Sequence, residues 1–331
     1  MSRVVLILWI LISLNPQVSA SAAKPNVLAA SYWGSFESTS ISDRIRAAPK
    51  GVIDFLKEEN QSTGWTNIPE SDSGDSKFKQ EVIDAIGELP AEIRSSISRK
   101  LIGILLVRDL GGTAFTGHVT GATGKTETGF IVLDVSALNK RANEWATWKE
   151  ASPFSKEASF TLKAIIADAK RDDRKGAIQY ILLHEFGHIV STDSGLIPTW
   201  GRVAKDTSKM NFFNLSWVDS PTTYESKFSK IWPAQKKIKY YSSQPSLKGS
   251  DAVVAYESLL KTNYPTLYAA TNIYDDFAES FANYVHVVLL KKPWSVEIQS
   301  GKKHLSYNSC WEELRCKEKK SIMQSFIQGM K

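Results

Sequence analysis

The chain has 331 residues, 42% of them hydrophobic, and a formal net charge of +6. That length is enough for one large domain, or for a small one beside a larger one, with a sizeable core. Its lysines and arginines are spread along the chain and accompany no nucleic-acid motif, which argues against DNA or RNA as a partner.

At the N-terminus, Met1-Ser2-Arg3 precedes an apolar run from Val4 to Leu14, then Asn15, Pro16 and the small-residue stretch Val18 to Ala23. This layout predicts a secretory signal peptide over residues 1–20, cleaved after Ala20 or Ala22. The run is shorter than the ~18 residues needed to cross a bilayer. No later stretch is apolar enough, so stable membrane insertion is not expected and the mature chain should be secreted or periplasmic. In that compartment a disulfide between Cys310 and Cys316 is permitted.

Ile41 to Glu59 has helical spacing, and 61–77, polar with two glycines and a proline, reads as a linker or long loop. Phe78–Leu89 and Ala91–Lys100 read as two short helices split by Pro90. Leu101–Val107 is an apolar run of strand length, Gly111–Gly129 a glycine-rich loop, and Phe130–Val135 a second strand and the candidate sheet edge for an extended peptide. Gly124-Lys125-Thr126 resembles the end of a phosphate-binding loop. The spacing fails, since the required glycine at position 119 is Val119. His118, in this loop, reads as a surface histidine. Trp311–Met330 has the spacing of an amphipathic packing helix.

The chemistry concentrates in 176–190, where Ile178, Ile181, Leu182, Phe186 and Ile189 predict a helix buried on most sides. Into it are set His184, Glu185 and His188. Histidines four apart lie one turn apart on one face and can share a zinc ion, with the glutamate beside it. Burying these three groups costs several kcal/mol unless they are paired or bind a metal. A catalytic zinc takes a third protein ligand and leaves a position for water. A third histidine six residues on is excluded, because position 194 is Ser194. The best source is the helical stripe 274–290, on which Asp275 and Glu279 are one turn apart. One can ligate while the other orients a histidine. His286, farther along, reads as a satisfied core or edge histidine. Trp200, Trp217 and Trp232, between the two helices, read as core residues or as walls of a cleft.

His184-Glu185-Phe186-Gly187-His188, followed by Tyr268, Thr271-Asn272, Asp275 and Phe277-Ala278-Glu279-Ser280-Phe281, resembles the catalytic domain of the anthrax lethal factor family among the gluzincin metallopeptidases. The resemblance implies an α+β, zincin-like fold, mainly helical around a small mixed sheet. It implies a domain over 76–331, preceded by a helical N-terminal region and linker over 21–75. It also places Asp275 as the third zinc ligand, Glu279 as the acid behind it, and Tyr268 as a support for the transition state. Two features depart from the family: an aspartate stands where the family has glutamate, and 86 residues separate His188 from Asp275. Either the ligand helix sits closer to the metal, or Glu279 is itself the ligand.

The expected activity is hydrolysis of peptide bonds in a protein or peptide substrate, by a water that zinc activates and Glu185 deprotonates. Two alternatives are a zinc-binding protein of the same fold that has lost turnover, and a zinc amidase acting on cell-wall links.

Overall fold

The computed structural model describes residues 26–34, 39–201, 204–221, 223–242 and 244–330. The expected signal peptide, 1–20, lies outside them. The fold is mixed α+β.

Its main sheet holds β1 (Ile45–Ala47), β2 (Glu70–Ser71), β3 (Leu101–Arg108), β4 (Ala114–Thr120) and β5 (Thr126–Asp134). The order is β1-β3-β5-β4, with β1 and β5 parallel to β3, and β4 antiparallel to β5; β2 pairs antiparallel with the end of β3. Leu101, Ile104 and Leu106 of β3 face one apolar cluster, and Ile102, Leu105 and Val107 face a second. A strand covered on both faces reads as an unbroken apolar run, which is why β3 was visible in the sequence.

Three expectations change here. The helix anticipated from Ile41 begins only at Lys50, as α1 (Lys50–Thr63). Pro49 has no N–H to give a helix and presses Ala48 into an extended conformation, so the residues before it form β1 instead. The segment 21–75, expected to be helical, thus lends β1 and β2 to the sheet, and 61–77 is more than a linker.

The glycine-rich loop is a hairpin of β4 and β5, with Gly124 at φ 76° in its turn. Its glycines answer close packing: a Cβ on Gly117 would lie 2.1 Å from the Phe130 ring, and one on Gly129 would lie 2.9 Å from Ile189. Third, Phe130–Val135 is not the sheet edge. As β5 it is flanked on both sides, and β4 is the edge.

One face of the sheet is covered by α1; the other by α2 (Ser76–Gly87), α3 (Ala91–Lys100) and the motif helix α5 (Arg174–Ser191). Between α3 and α5 come α4 (Ala142–Ala151), β6 (Phe154–Ser155) and β7 (Phe160–Ile165). The side chain of Asp173 accepts the Gly176 amide and starts α5. Its Ile178, Ile181, Leu182, Phe186 and Ile189 are all buried, each worth about 1.5–3 kcal/mol.

After α5 the chain runs through α6 (Phe213–Ser216), β8 (Trp217–Asp219), β9 (Tyr224–Ser226), β10 (Leu247–Lys248) and α7 (Ala252–Leu259) to α8 (Ile273–Tyr284). A one-turn π-helix extends α8 to Leu289. The chain closes with β11 (Ser295–Ser300), β12 (Lys303–Asn308) and α9 (Lys317–Gln328). The strands β7, β11 and β12 form a second, antiparallel sheet, on which α4 packs. Cys310 and Cys316 are joined by a disulfide just before α9. Among the described residues no helix is long and apolar enough to cross a membrane.

Candidate metal centre

α5 and α8 cross at a point of unusually close approach. A Cβ on Gly187 would lie 2.9 Å from the Cα of Ala278, so the two small residues let the backbones meet. Half a turn away on α5, His184 and His188 turn their Nε2 atoms toward each other at 3.2 Å. From α8, Asp275 Oδ1 lies 3.7 Å from His184 Nε2 and 3.5 Å from His188 Nε2. These three residues form a group that can hold a metal ion.

Each donor is aimed by its neighbours. The Asn272 side chain caps α8 by accepting the amides of Tyr274 and Asp275. Its amide nitrogen donates to Asp275 Oδ2 at 2.6 Å, and Thr271 Oγ1 donates to the same oxygen at 2.9 Å. Oδ2 is thereby occupied and Oδ1 faces the imidazoles. Burial would raise the pKa of Asp275, but its hydrogen bond to His188 and the charges of His188 and His184 outweigh that and hold it below its ordinary value.

Glu279 is fully buried and does not join the donors. Its Oε1 lies 3.0 Å from His184 Nδ1, on the opposite side of the ring from Nε2. The approach is close but bent away from the N–H direction, so it orients the ring as an ion-pair contact more than as a linear hydrogen bond. Glu279, the alternative ligand, stands one turn farther along α8, with its carboxylate drawn behind His184. There Lys149 Nζ contacts Oε1 at 3.2 Å, while Tyr180 and Thr266 donate to Oε2 at 3.1 and 2.8 Å. Burial pushes the Glu279 pKa up, but the Lys149 charge and the His184 contact prevail and hold it well below the usual carboxylate range. Glu279 and its neighbours act on His184 in the opposite sense: they outweigh its burial and raise its pKa.

Sequence reasoning had no sight of Lys149, which α4 carries into the interior. Its Nζ is shared by Glu279 and Glu150 and sits 4.7 Å over the Tyr268 ring. Glu150 accepts Tyr240 and Tyr256 hydroxyls at 3.0 and 2.9 Å. A buried lysine between acids has no periodic signature, and nothing in the string of residues pairs position 149 with 279.

Glu185 points to the edge strand: Thr116 Oγ1 of β4 donates to its Oε2 at 2.6 Å and to its backbone carbonyl at 3.0 Å. Tyr268 lies flat on His184, the rings 5.2 Å apart and 13° from parallel. Both residues line the two cavities that meet at the donors, of about 590 and 380 Å³. The cavities share Ala114, His184, Glu185, Tyr268 and Asp275, so they form one trough with the histidine pair midway along it.

His118 is not a surface loop residue. It lies on β4, half-buried, lines the trough, and has Nδ1 3.2 Å from Thr192 Oγ1; burial pushes its pKa down to about 4. His286 is a core histidine, its Nε2 facing the carbonyls of Ile166 and Pro293. Trp200 stands in the trough wall, whereas Trp217 and Trp232 are buried.

The donor set fits a divalent cation on two counts. Metal–ligand bonds of about 2.0–2.2 Å put neighbouring corners of a tetrahedron roughly 3.3–3.6 Å apart, and the three separations bracket that range. Glu150 and Glu279 also share the single ammonium of Lys149, and Asp275 and Glu185 line the adjoining trough. That excess of negative charge calls for a compensating cation. Comparison with protein-family models, with curated proteins and with solved structures found no match.

Proposed function

We propose that this chain is an exported zinc-dependent peptidase, of zincin-like fold and resembling the catalytic domain of the anthrax lethal factor family. The observation that carries the reading is the convergence of two imidazoles and one carboxylate in an open trough, beside a glutamate held by Thr116. Two histidines and a carboxylate suit zinc, and they also suit ferrous iron. A base poised beside the donors is what favours hydrolysis.

His184, His188 and Asp275 would hold the ion. When bound, zinc supplies acidity to a water and polarises the scissile carbonyl. Glu185 would take the proton of an attacking water and return it to the leaving amine. Thr116 would fix the carboxylate for both transfers, since its hydroxyl engages Oε2. Tyr268, whose pKa burial raises well above its ordinary value, stays protonated and can donate to the developing oxyanion. An extended substrate runs along β4, an edge strand that pairs outward with Leu28 and Ala29 at Thr120, and takes main-chain hydrogen bonds from it.

Glu185→Gln tests the reading. It should retain zinc and lose hydrolysis of a casein or peptide-library digest by at least about a hundredfold. Undiminished cleavage in that variant would refute the assigned base, and cleavage of cell wall but not peptide would move the substrate class.

A further inference from the structure

The strand that edges the trough has two unlike faces. Ala114, Thr116 and His118 of β4 pair with Leu133, Ile131 and Gly129 and turn toward α5 and the metal donors. Phe115, Gly117 and Val119 pair with Val132, Phe130 and Thr128 and turn toward α1. On that second face the rings of Phe55 from α1 and Phe115 meet edge-on, 5.8 Å apart, and both remain half-buried. The Phe130 ring fills the space a Gly117 side chain would take, so the apolar notch is the part of the cavity of about 380 Å³ that Phe55, Phe115 and Leu28 wall.

The notch is closed at one end. The amide of Thr120 donates to the carbonyl of Leu28 at 2.8 Å, Ala29 bridges Thr120, and Leu28 lines the same cavity as Phe55 and Phe115. Glu59, one turn beyond Phe55 on α1, contributes the carboxylate at its rim.

Resting on the peptidase reading, we propose that this apolar notch, built by the N-terminal segment and α1, is a side-chain subsite that selects a large aliphatic or aromatic residue and rejects acidic ones. The reason is the two-residue period of a strand. A peptide added to β4 alternates its side chains between the faces, as its partner does. If the residue beside Thr116 turns toward the metal donors, the next one, beside Gly117, turns to the α1 face and meets Phe55, Phe115 and Leu28. A bulky apolar side chain there meets the apolar walls of the cavity. An aspartate or glutamate faces the Glu59 carboxylate.

The test measures binding rather than turnover. Zinc-loaded full-length Glu185→Gln protein is titrated with blocked peptides identical except for Phe, Leu, Gly or Asp at one position, scanned along the peptide. The proposal expects one position at which Phe and Leu bind roughly 10–100-fold tighter than Gly, with Asp weakest. Phe55→Ala and Phe115→Ala should each cut that preference severalfold. Binding without preference, or a preference that both variants retain, overturns the subsite while leaving the peptidase reading intact. Failure of the zinc-loaded protein to bind any peptide overturns that reading, and the subsite with it.

Discussion

Glu279 receives four contacts on two oxygens, from His184, Lys149, Tyr180 and Thr266, and this sets what each partner is worth. Outer partners of a ligating histidine typically account for 10–100-fold in metal affinity, so Glu279→Gln should weaken zinc binding by about that factor in a chelator competition. Equal affinity would mean that the carboxylate does not orient the ring. Removing Lys149 is a different matter, because Lys149→Met strands two buried acids. A loss of about 3–5 kcal/mol in urea unfolding is expected, and a neutral result would show that solvent reaches Glu150 and Glu279.

His286 gives a pH signature away from the donors. Burial pushes its pKa down to about 4, against about 6.5 in an unfolded chain. Between those values the unfolded chain takes up a proton that the folded chain refuses, so stability is intact above about pH 6.5 and falls as pH drops toward 4. The window is worth roughly 3 kcal/mol. In denaturant titrations across it, His286→Gln should show a shallower slope than the wild type; an identical slope would remove His286 from the account.

At the scale of elements, the meeting of α5 with α8 brings an aspartate within reach of the two histidines. A side chain one methylene shorter than glutamate reaches the histidines only if its helix is close, and Gly187 against Ala278 permits that closeness. Gly187→Ala should cost about 1–3 kcal/mol by overpacking and should weaken zinc binding too, as the helices part. Gly87→Ala, where an added Cβ meets nothing within 4 Å, is the control and should leave zinc binding unchanged. If Gly187→Ala binds zinc as the wild type does, the close crossing is not what brings Asp275 in.

Much of α5 and α8 was legible because their apolar stripes repeat at 3.6 residues and their chemical groups stand in a tight motif. The helices split by Pro90 and the strand of unbroken apolar residues were legible for similar local reasons. What stayed hidden depends on partners distant in the chain. The β4–β5 hairpin was masked by glycines that exist to admit Phe130 and Ile189. The edge was assigned to β5 because edge status belongs to the sheet rather than to the strand. The choice between Asp275 and Glu279 turned on Lys149, Tyr180 and Thr266, three residues that no spacing rule connects.

For the whole molecule, the trough unites parts that the sequence kept separate. Its floor comes from α5 and α8, its edge from β4, one wall from α1 and the N-terminal segment, and another from 238–242. α9 locks the arrangement from behind: Lys319 and Asp276, both fully buried, pair at 2.5 and 2.7 Å, and Trp217 donates to the same aspartate at 2.9 Å. Asp276 is the neighbour of Asp275, so the C-terminal helix and the segment after α5 both bear on α8 at the residue next to Asp275.

The central claim is that one divalent ion is held by His184, His188 and Asp275. Metal analysis with X-ray absorption on purified wild-type protein and on Asp275→Ala tests it directly. One zinc per chain, with two imidazoles and a carboxylate oxygen at about 2.0–2.2 Å, is expected in the wild type, with affinity lost by at least a hundredfold in the variant. Wild-type protein that takes up no metal, or a variant that binds it equally well, would contradict the account.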